Sequence, residues 1–247
     1  MKLNTREWGS GGRIALLAHG IMSDSRTWRR VGPALAERGC RVVGVDLRGH
    51  GASGRGDEYS NEAYGADIVE TLEGLGGVDV AIGHSLGARA VLFAVEAGWR
   101  PSKAVYVDPA WRIARPGAGS SPKDPFVEFA DHATREQIAE LCPRWEPEDV
   151  EIELATLALW DRQTALQLPK HNAAALESGR AGDGTGLPVD AKVPSLIMLA
   201  DNSQMLSAQD AETLRGRGFE LRTVPGAGHS VHRDDFEGFM AALDGWI

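Results

Sequence analysis

Four short apolar runs punctuate the first part of the chain: residues 14–18 (IALLA), 42–45 (VVGV), 78–82 (VDVAI) and 104–107 (AVYV). They are largely continuous rather than alternating, and Gly, Asp or His bounds them. That pattern predicts strands covered on both faces. Helical stretches lie between them. Residues 33–38 begin with Pro33 and stop at Gly39, residues 61–75 follow Ser60 as a cap, and residues 86–97 stop at Gly98 and Pro101. Alternation of strand and helix predicts an α/β fold with a mainly parallel sheet flanked by helices.

The pattern changes after Asp108. Residues 112–190 hold no convincing strand. A Gly-, Ser- and Pro-rich loop is expected at 116–125, then helices at 125–132, 134–141, 147–160 and 163–177, then a return loop at 178–186. Strand signals resume at 195–200 and 219–224, and a closing helix fits 236–247. The expected organisation is an α/β core of residues 1–111 and 191–247, with an α-helical insertion at 112–190.

Composition narrows the class. The 247 residues suit one domain with an insertion, and 43% hydrophobic with 25% charged residues is an ordinary globular mix. Thirty-five acids against 26 bases give a net charge of −9, which favours neither nucleic acid nor anionic membrane as a partner. Cys40 and Cys142 are too few for a disulfide framework or a cysteine-built zinc site. The opening MKLNTREWGSGGR has no apolar stretch long enough for a signal peptide, and no apolar run reaches membrane length. A cytoplasmic protein is expected.

The candidate chemistry begins at Gly83-His84-Ser85-Leu86-Gly87, which fits G-x-S-x-G. It follows an expected strand and opens an expected helix, the setting that holds a serine hydroxyl out from a sheet edge. In a chain with 30 glycines the motif alone is weak, since an ordinary turn produces it too. Other segments add to it. His19-Gly20 follows the first run, Asp46-Leu47-Arg48-Gly49-His50-Gly51-Ala52-Ser53 the second, and Pro225-Gly226-Ala227-Gly228-His229 the last. In this order and spacing the chain resembles the α/β-hydrolase superfamily along nearly its whole length. The family pattern opens with a β-hairpin, for which little room exists before Ile14.

The resemblance implies a cofactor-independent serine hydrolase acting on a small carboxylic ester or lactone, with the helical insertion as a cap. Ser85 would be the nucleophile and His229 its general base. A serine hydroxyl is a poor nucleophile near neutral pH, and an imidazole within reach can take its proton. The backbone N–H groups of Ile21 and Leu86 would form the oxyanion hole. The triad acid has two candidates. Asp201 lies after the penultimate run, two residues before the family's usual position, which Ser203 occupies. Asp108 ends the run before the insertion, 23 residues after Ser85, where some relatives carry the acid, and it is favoured. Trp111 and Trp160 are candidates to line the substrate pocket, as is Trp145. His19, Asp46, Arg48, His50 and His84 are read as loop-shaping residues.

Two patterns are set aside. Residues 49–54 fit G-x-G-x-x-G, but no helix opens at their end to receive a pyrophosphate. His229-x-x-His232 with Asp234 and Asp235 fits no zinc spacing, so no metal is expected and a solvated helix start is. Serine at the nucleophile position speaks against dehalogenase or epoxide hydrolase chemistry. A lyase, cyclase or carbon–carbon bond hydrolase using the same residues stays open, as does a catalytically silent binding protein. Ester turnover with labelling of Ser85 separates these.

Overall fold

A computed structural model describes residues 1–112, 124–177 and 186–247. Among these residues seven strands form one sheet: β1 (Thr5–Trp8), β2 (Arg13–Ala18), β3 (Cys40–Val45), β4 (Val80–His84), β5 (Lys103–Val107), β6 (Ser195–Ala200) and β7 (Phe219–Val224). Their order is β1-β3-β2-β4-β5-β6-β7. Only β1 is antiparallel, pairing with β3 from Thr5↔Val45 to Trp8↔Val42. The remaining pairs are parallel, so each connection crosses over and carries helices to the sheet faces.

The central strands show why continuous apolar runs were needed. In β2, Ala15 and Leu17 pack on one face with Trp28, Val31, Leu35, Phe239 and Leu243. Leu16 and Ala18 pack on the other with Tyr64, Ile68, Val91 and Leu214. Period-two alternation within an all-apolar strand feeds two cores. Helices α1 (Val31–Glu37) and α10 (Phe236–Ala242) cover the first face. Helices α2 (Asn61–Leu72), α3 (Leu86–Glu96) and α8 (Ala208–Gly216) cover the second. Ser60 caps α2 by accepting from the Ala63 N–H.

Among the described residues four helices lie between β5 and β6: α4 (Pro125–His132), α5 (Arg135–Leu141), α6 (Pro147–Leu159) and α7 (Gln163–Glu177). No strand occurs among the described residues of this stretch. Asp124 caps α4, and Thr134 with Gln137 forms a capping box on α5. The loops expected at 116–125 and 178–186 fall outside the described residues, apart from 124, 125 and 186. Among the described residues no helix is long and apolar enough to cross a membrane.

Several boundaries differ from expectation. The expected opening hairpin contributes only β1, which pairs antiparallel with β3. Helix α1 begins at Val31, two residues before Pro33, because a first-turn proline lacks an N–H the helix does not use. Strand β4 begins at Val80 rather than Val78, with Asp79 spending both its N–H and a carboxylate oxygen on Ile14 just ahead of it, and it runs on to His84, which pairs with Val107. The last helix stops at Ala242, and Gly245 at φ +81° turns the chain beyond it. Helix α8 and a 3-10 turn at Ser25–Trp28 were not foreseen, and the helix start expected near His232 is a separate short helix, α9 (Val231–Asp234), ahead of α10.

Candidate active site

Strand β4 passes directly through Ser85 into α3. Ser85 has φ +50° and ψ −107°, a conformation that costs a non-glycine residue roughly 1–3 kcal/mol and persists only where neighbours enforce it. Its N–H donates to the Val107 carbonyl at 2.9 Å, and its carbonyl accepts from the Arg89 N–H at 3.2 Å. A Cβ on Gly83 would lie 2.4 Å from the Gly87 carbonyl oxygen, and one on Gly87 would lie 2.2 Å from that of Ala18. Both glycines are therefore required by backbone approach.

Asp108 follows β5 at φ +39°, buried to 1% exposure. Its N–H donates to the Met198 carbonyl at 2.7 Å, and its Oδ1 accepts from the Ala200 N–H at 3.3 Å. Its Oδ2 lies 2.6 Å from His229 Nδ1. An ionised carboxylate only accepts, so that contact puts the ring proton on Nδ1 and leaves Nε2 as the basic nitrogen. His229 stands in the loop between β7 and α9, and its carbonyl is bonded to His84 Nε2 at 2.9 Å. Asp201 is elsewhere engaged: its Oδ2 accepts from the Gly226 N–H at 2.9 Å, and its N–H donates to the Ala227 carbonyl. The fold thus brings Asp108, and not Asp201, to His229. Ser203 closes a local turn on the N–H groups of Met205 and Leu206.

Among the described residues neither the Ile21 nor the Leu86 N–H is taken up by another group. No hydrogen bond joins Ser85 Oγ to His229 among them either, as is common before substrate tightens a site. The surrounding loops are pinned. His19 Nε2 accepts from the Leu47 N–H at 2.9 Å while Nδ1 donates to the Gly20 carbonyl at 2.7 Å. Asp46 accepts from the N–H groups of Ser25 and Ala52 and from Asn4 Nδ2, and Arg48 pairs with Asp67. His50 bonds the Arg48 carbonyl, and burial pushes its pKa down to about 3. Burial also holds His19 and His84 below the usual imidazole range.

His232 corrects an expectation. The start of α9 is not solvated there: His232 is buried, stacks on Trp28 with ring centroids 4.2 Å apart, and meets Thr27 Oγ1 at 2.8 Å. Among the described residues no group of three His, Cys, Asp or Glu is placed to hold a metal ion.

Ser85, Leu86, Ile21 and His229 line one cavity of about 420 Å³, whose other wall comes from α4 to α7. The tryptophans sort differently from expectation. Trp111 does not line the cavity; it is buried against Tyr106 and Phe219, with ring centroids 5.1 and 5.8 Å away. Trp160 does not line it either; it is buried near His50. Trp145 does, with Nε1 donating to Asp234 at 3.1 Å and Arg233 stacked on its ring at 4.3 Å. Arg233 in turn pairs with Glu153 at 2.6 Å. Burial raises the Asp234 pKa, and it pushes the Cys142 thiol up to about 12, which leaves that thiol a poor nucleophile. Arg89, also on the cavity wall, went unnoticed in the sequence; its place one helical turn after Ser85 was the available signal.

Comparison with known proteins follows this geometry. The sequence model of the alpha/beta hydrolase family matches residues 15–242. N-formylmaleamate deformylase of Pseudomonas putida (strain KT2440) is 29% identical over 253 residues, covering 97% of this chain and 90% of that protein. The crystal structure of an N-formylmaleamic acid deformylase from Pseudomonas putida S16 superposes with a TM-score of 0.71 at 24% identity, over 97% of this chain and 94% of that one. An N-acyl homoserine lactone degrading enzyme of known structure gives a TM-score of 0.71 at 18% identity, over 99% and 96% of the two chains.

Proposed function

The chain belongs to the alpha/beta hydrolase family, and from that premise we propose that it is a serine hydrolase, acting without a cofactor on a carboxylic ester or lactone through an acyl-enzyme. The observation that carries this reading is the 2.6 Å contact between Asp108 and His229, made on the cavity that Ser85 also lines. In this reading Ser85 Oγ attacks the acyl carbon as His229 Nε2 takes its proton. The developing oxyanion receives the N–H groups of Ile21 and Leu86. His229 then protonates the leaving oxygen, the acyl group stays on Ser85, and water deprotonated by His229 releases the acid. Asp108 holds the Nδ1–H tautomer and stabilises the imidazolium.

Helices α4 to α7 act here as the cap, with Leu141, Trp145 and Leu168 offering apolar surface to the acyl or leaving group. The lactone-degrading neighbour supports including lactones, and the deformylase relative supports including an N-formyl amide among the compounds tried. The test is turnover of a panel of esters, lactones and an N-formyl amide, together with fluorophosphonate labelling read by peptide mass. Labelling at Ser85 with turnover of an ester or lactone supports the reading. Absence of both removes it, and labelling without hydrolysis moves the function to a lyase or cyclase.

A further inference from the structure

Arg89 is a cation sealed into the wall of the cavity, and among the described residues no carboxylate pairs with it. It is 6% exposed and lines the cavity four residues after Ser85 on α3. Its Nε donates to the Ala110 carbonyl at 2.9 Å, one Nη to the Trp111 carbonyl at 2.5 Å and the other to Asn172 Oδ1 at 2.5 Å. These acceptors are neutral. They fix the guanidinium in place and leave its charge uncompensated. Burial alone lowers its pKa, to about 10, and no neighbouring acid opposes that fall.

Among the described residues none of the other charges on the cavity wall is in an ion pair with Arg89, although Arg233 Nε and one Nη also lack a hydrogen-bond partner. Arg233 is paired with Glu153, Asp234 accepts from Trp145 Nε1, and Asp124 caps α4 through the Phe126 N–H. A buried charge without an opposite charge is costly, and a fold keeps one where something supplies the missing partner. Three of the five guanidinium N–H groups are used, so two remain. Asn172 adds to them. Its Oδ1 is committed to Arg89 and to Asn61 Nδ2, while its Nδ2 makes no hydrogen bond among the described residues.

We propose that Arg89 and Asn172 form an anion subsite of the cavity, which receives a carboxylate carried by the substrate itself. The proposal rests on the hydrolase reading for what surrounds that carboxylate. Arg89 stands one turn of α3, about 5–6 Å of helix, from Ser85. The matching substrates are short: half-esters, or lactones bearing an acid, with the carboxylate a few carbons from the reacting carbonyl. Neutral esters of the same length leave the cation unpaired.

The test is a calorimetric titration of Ser85→Ala protein with glutarate and, separately, with dimethyl glutarate. Glutarate is expected to bind about tenfold to a hundredfold more tightly, the range for charge-assisted hydrogen bonds in a buried site. Arg89→Gln in the same background is expected to abolish that preference. Equal or weaker binding of glutarate overturns the proposal, even if Arg89→Gln fails to fold, because the comparison is already complete in the Ser85→Ala protein. Retention of the preference in a folded Arg89→Gln protein overturns it as well. Fluorophosphonate labelling of wild-type Ser85 reports separately on the hydrolase reading: an unlabelled serine removes that reading and leaves the titration to decide this one.

Discussion

Asp108 Oδ2 and His229 Nδ1 stand 2.6 Å apart across 121 residues of sequence, while Asp201 spends its carboxylate on the backbone of Gly226. The two aspartates therefore do different work. One meets a histidine ring on the cavity that Ser85 lines, and the other ties the end of β6 to the turn after β7.

This division predicts unequal effects of the same substitution. In Asp108→Asn the amide can donate to Nδ1 and favour the wrong tautomer, so kcat is expected to fall by roughly 10²–10⁴. In Asp201→Asn the side-chain oxygen can still accept from the Gly226 N–H, and kcat is expected to change by less than about tenfold. Steady-state kinetics of the two variants on one ester check this, and the reverse ranking contradicts it.

The elbow glycines predict stability rather than rate. Gly83→Ala and Gly87→Ala each drive a methyl group into backbone oxygen, at 2.4 and 2.2 Å. Each is expected to cost about 1–3 kcal/mol or more in urea denaturation. Gly12 has nothing within 4 Å of an added Cβ, so Gly12→Ala serves as the control and is expected to be neutral or to gain up to about 1 kcal/mol. A midpoint unchanged in both elbow variants contradicts the packing described.

Much of this site was legible because its chemistry is local. Strands β6 and β7 and helices α4 and α7 fall on the boundaries expected from sequence, and the serine turn is spelled out by its glycines. What escaped lacks a local signature. Strand β1 is four residues, mostly exposed, with no apolar alternation. Helix α8 is a polar helix whose Ser207–Asp210 capping box was its only clear mark. The burial of His232 depends on Trp28, about two hundred positions away in sequence. The sorting of Trp145 and Trp160 depends on how the inserted helices turn, and the burial of Trp111 depends on Phe219, more than a hundred positions away, which no helical spacing specifies.

That sorting carries its own expectation. Trp111 is buried in the core, so Trp111→Ala is expected to cost about 3–5 kcal/mol of stability. Trp145 lines the cavity and is half-buried, so Trp145→Ala is expected to move KM at a smaller cost in stability. Denaturation and kinetics on both proteins check the contrast. A KM effect confined to Trp111→Ala contradicts it.

Four buried histidines make stability depend on pH. Burial holds His19, His84 and His232 below their ordinary value of about 6.5, and His50 down to about 3. In the unfolded chain each takes up a proton as pH falls through about 6.5. In the folded chain each stays neutral until its lower value is reached. The unfolded state then binds more protons, and stability is lost as pH falls below about 6.5. Each such proton corresponds to about 1.4 kcal/mol per pH unit. The urea midpoint is expected to drop between about pH 7 and pH 5 with a slope above one proton. A midpoint that holds or rises at pH 5 contradicts neutral burial.

The central claim is that Ser85 is the nucleophile. It is tested most directly by kcat of Ser85→Ala against wild type on the best ester of the panel, with circular dichroism establishing that both are folded. The account predicts a loss on the order of 10⁴–10⁶ in kcat with an unchanged fold. A folded Ser85→Ala protein that keeps activity within about tenfold of wild type would contradict it.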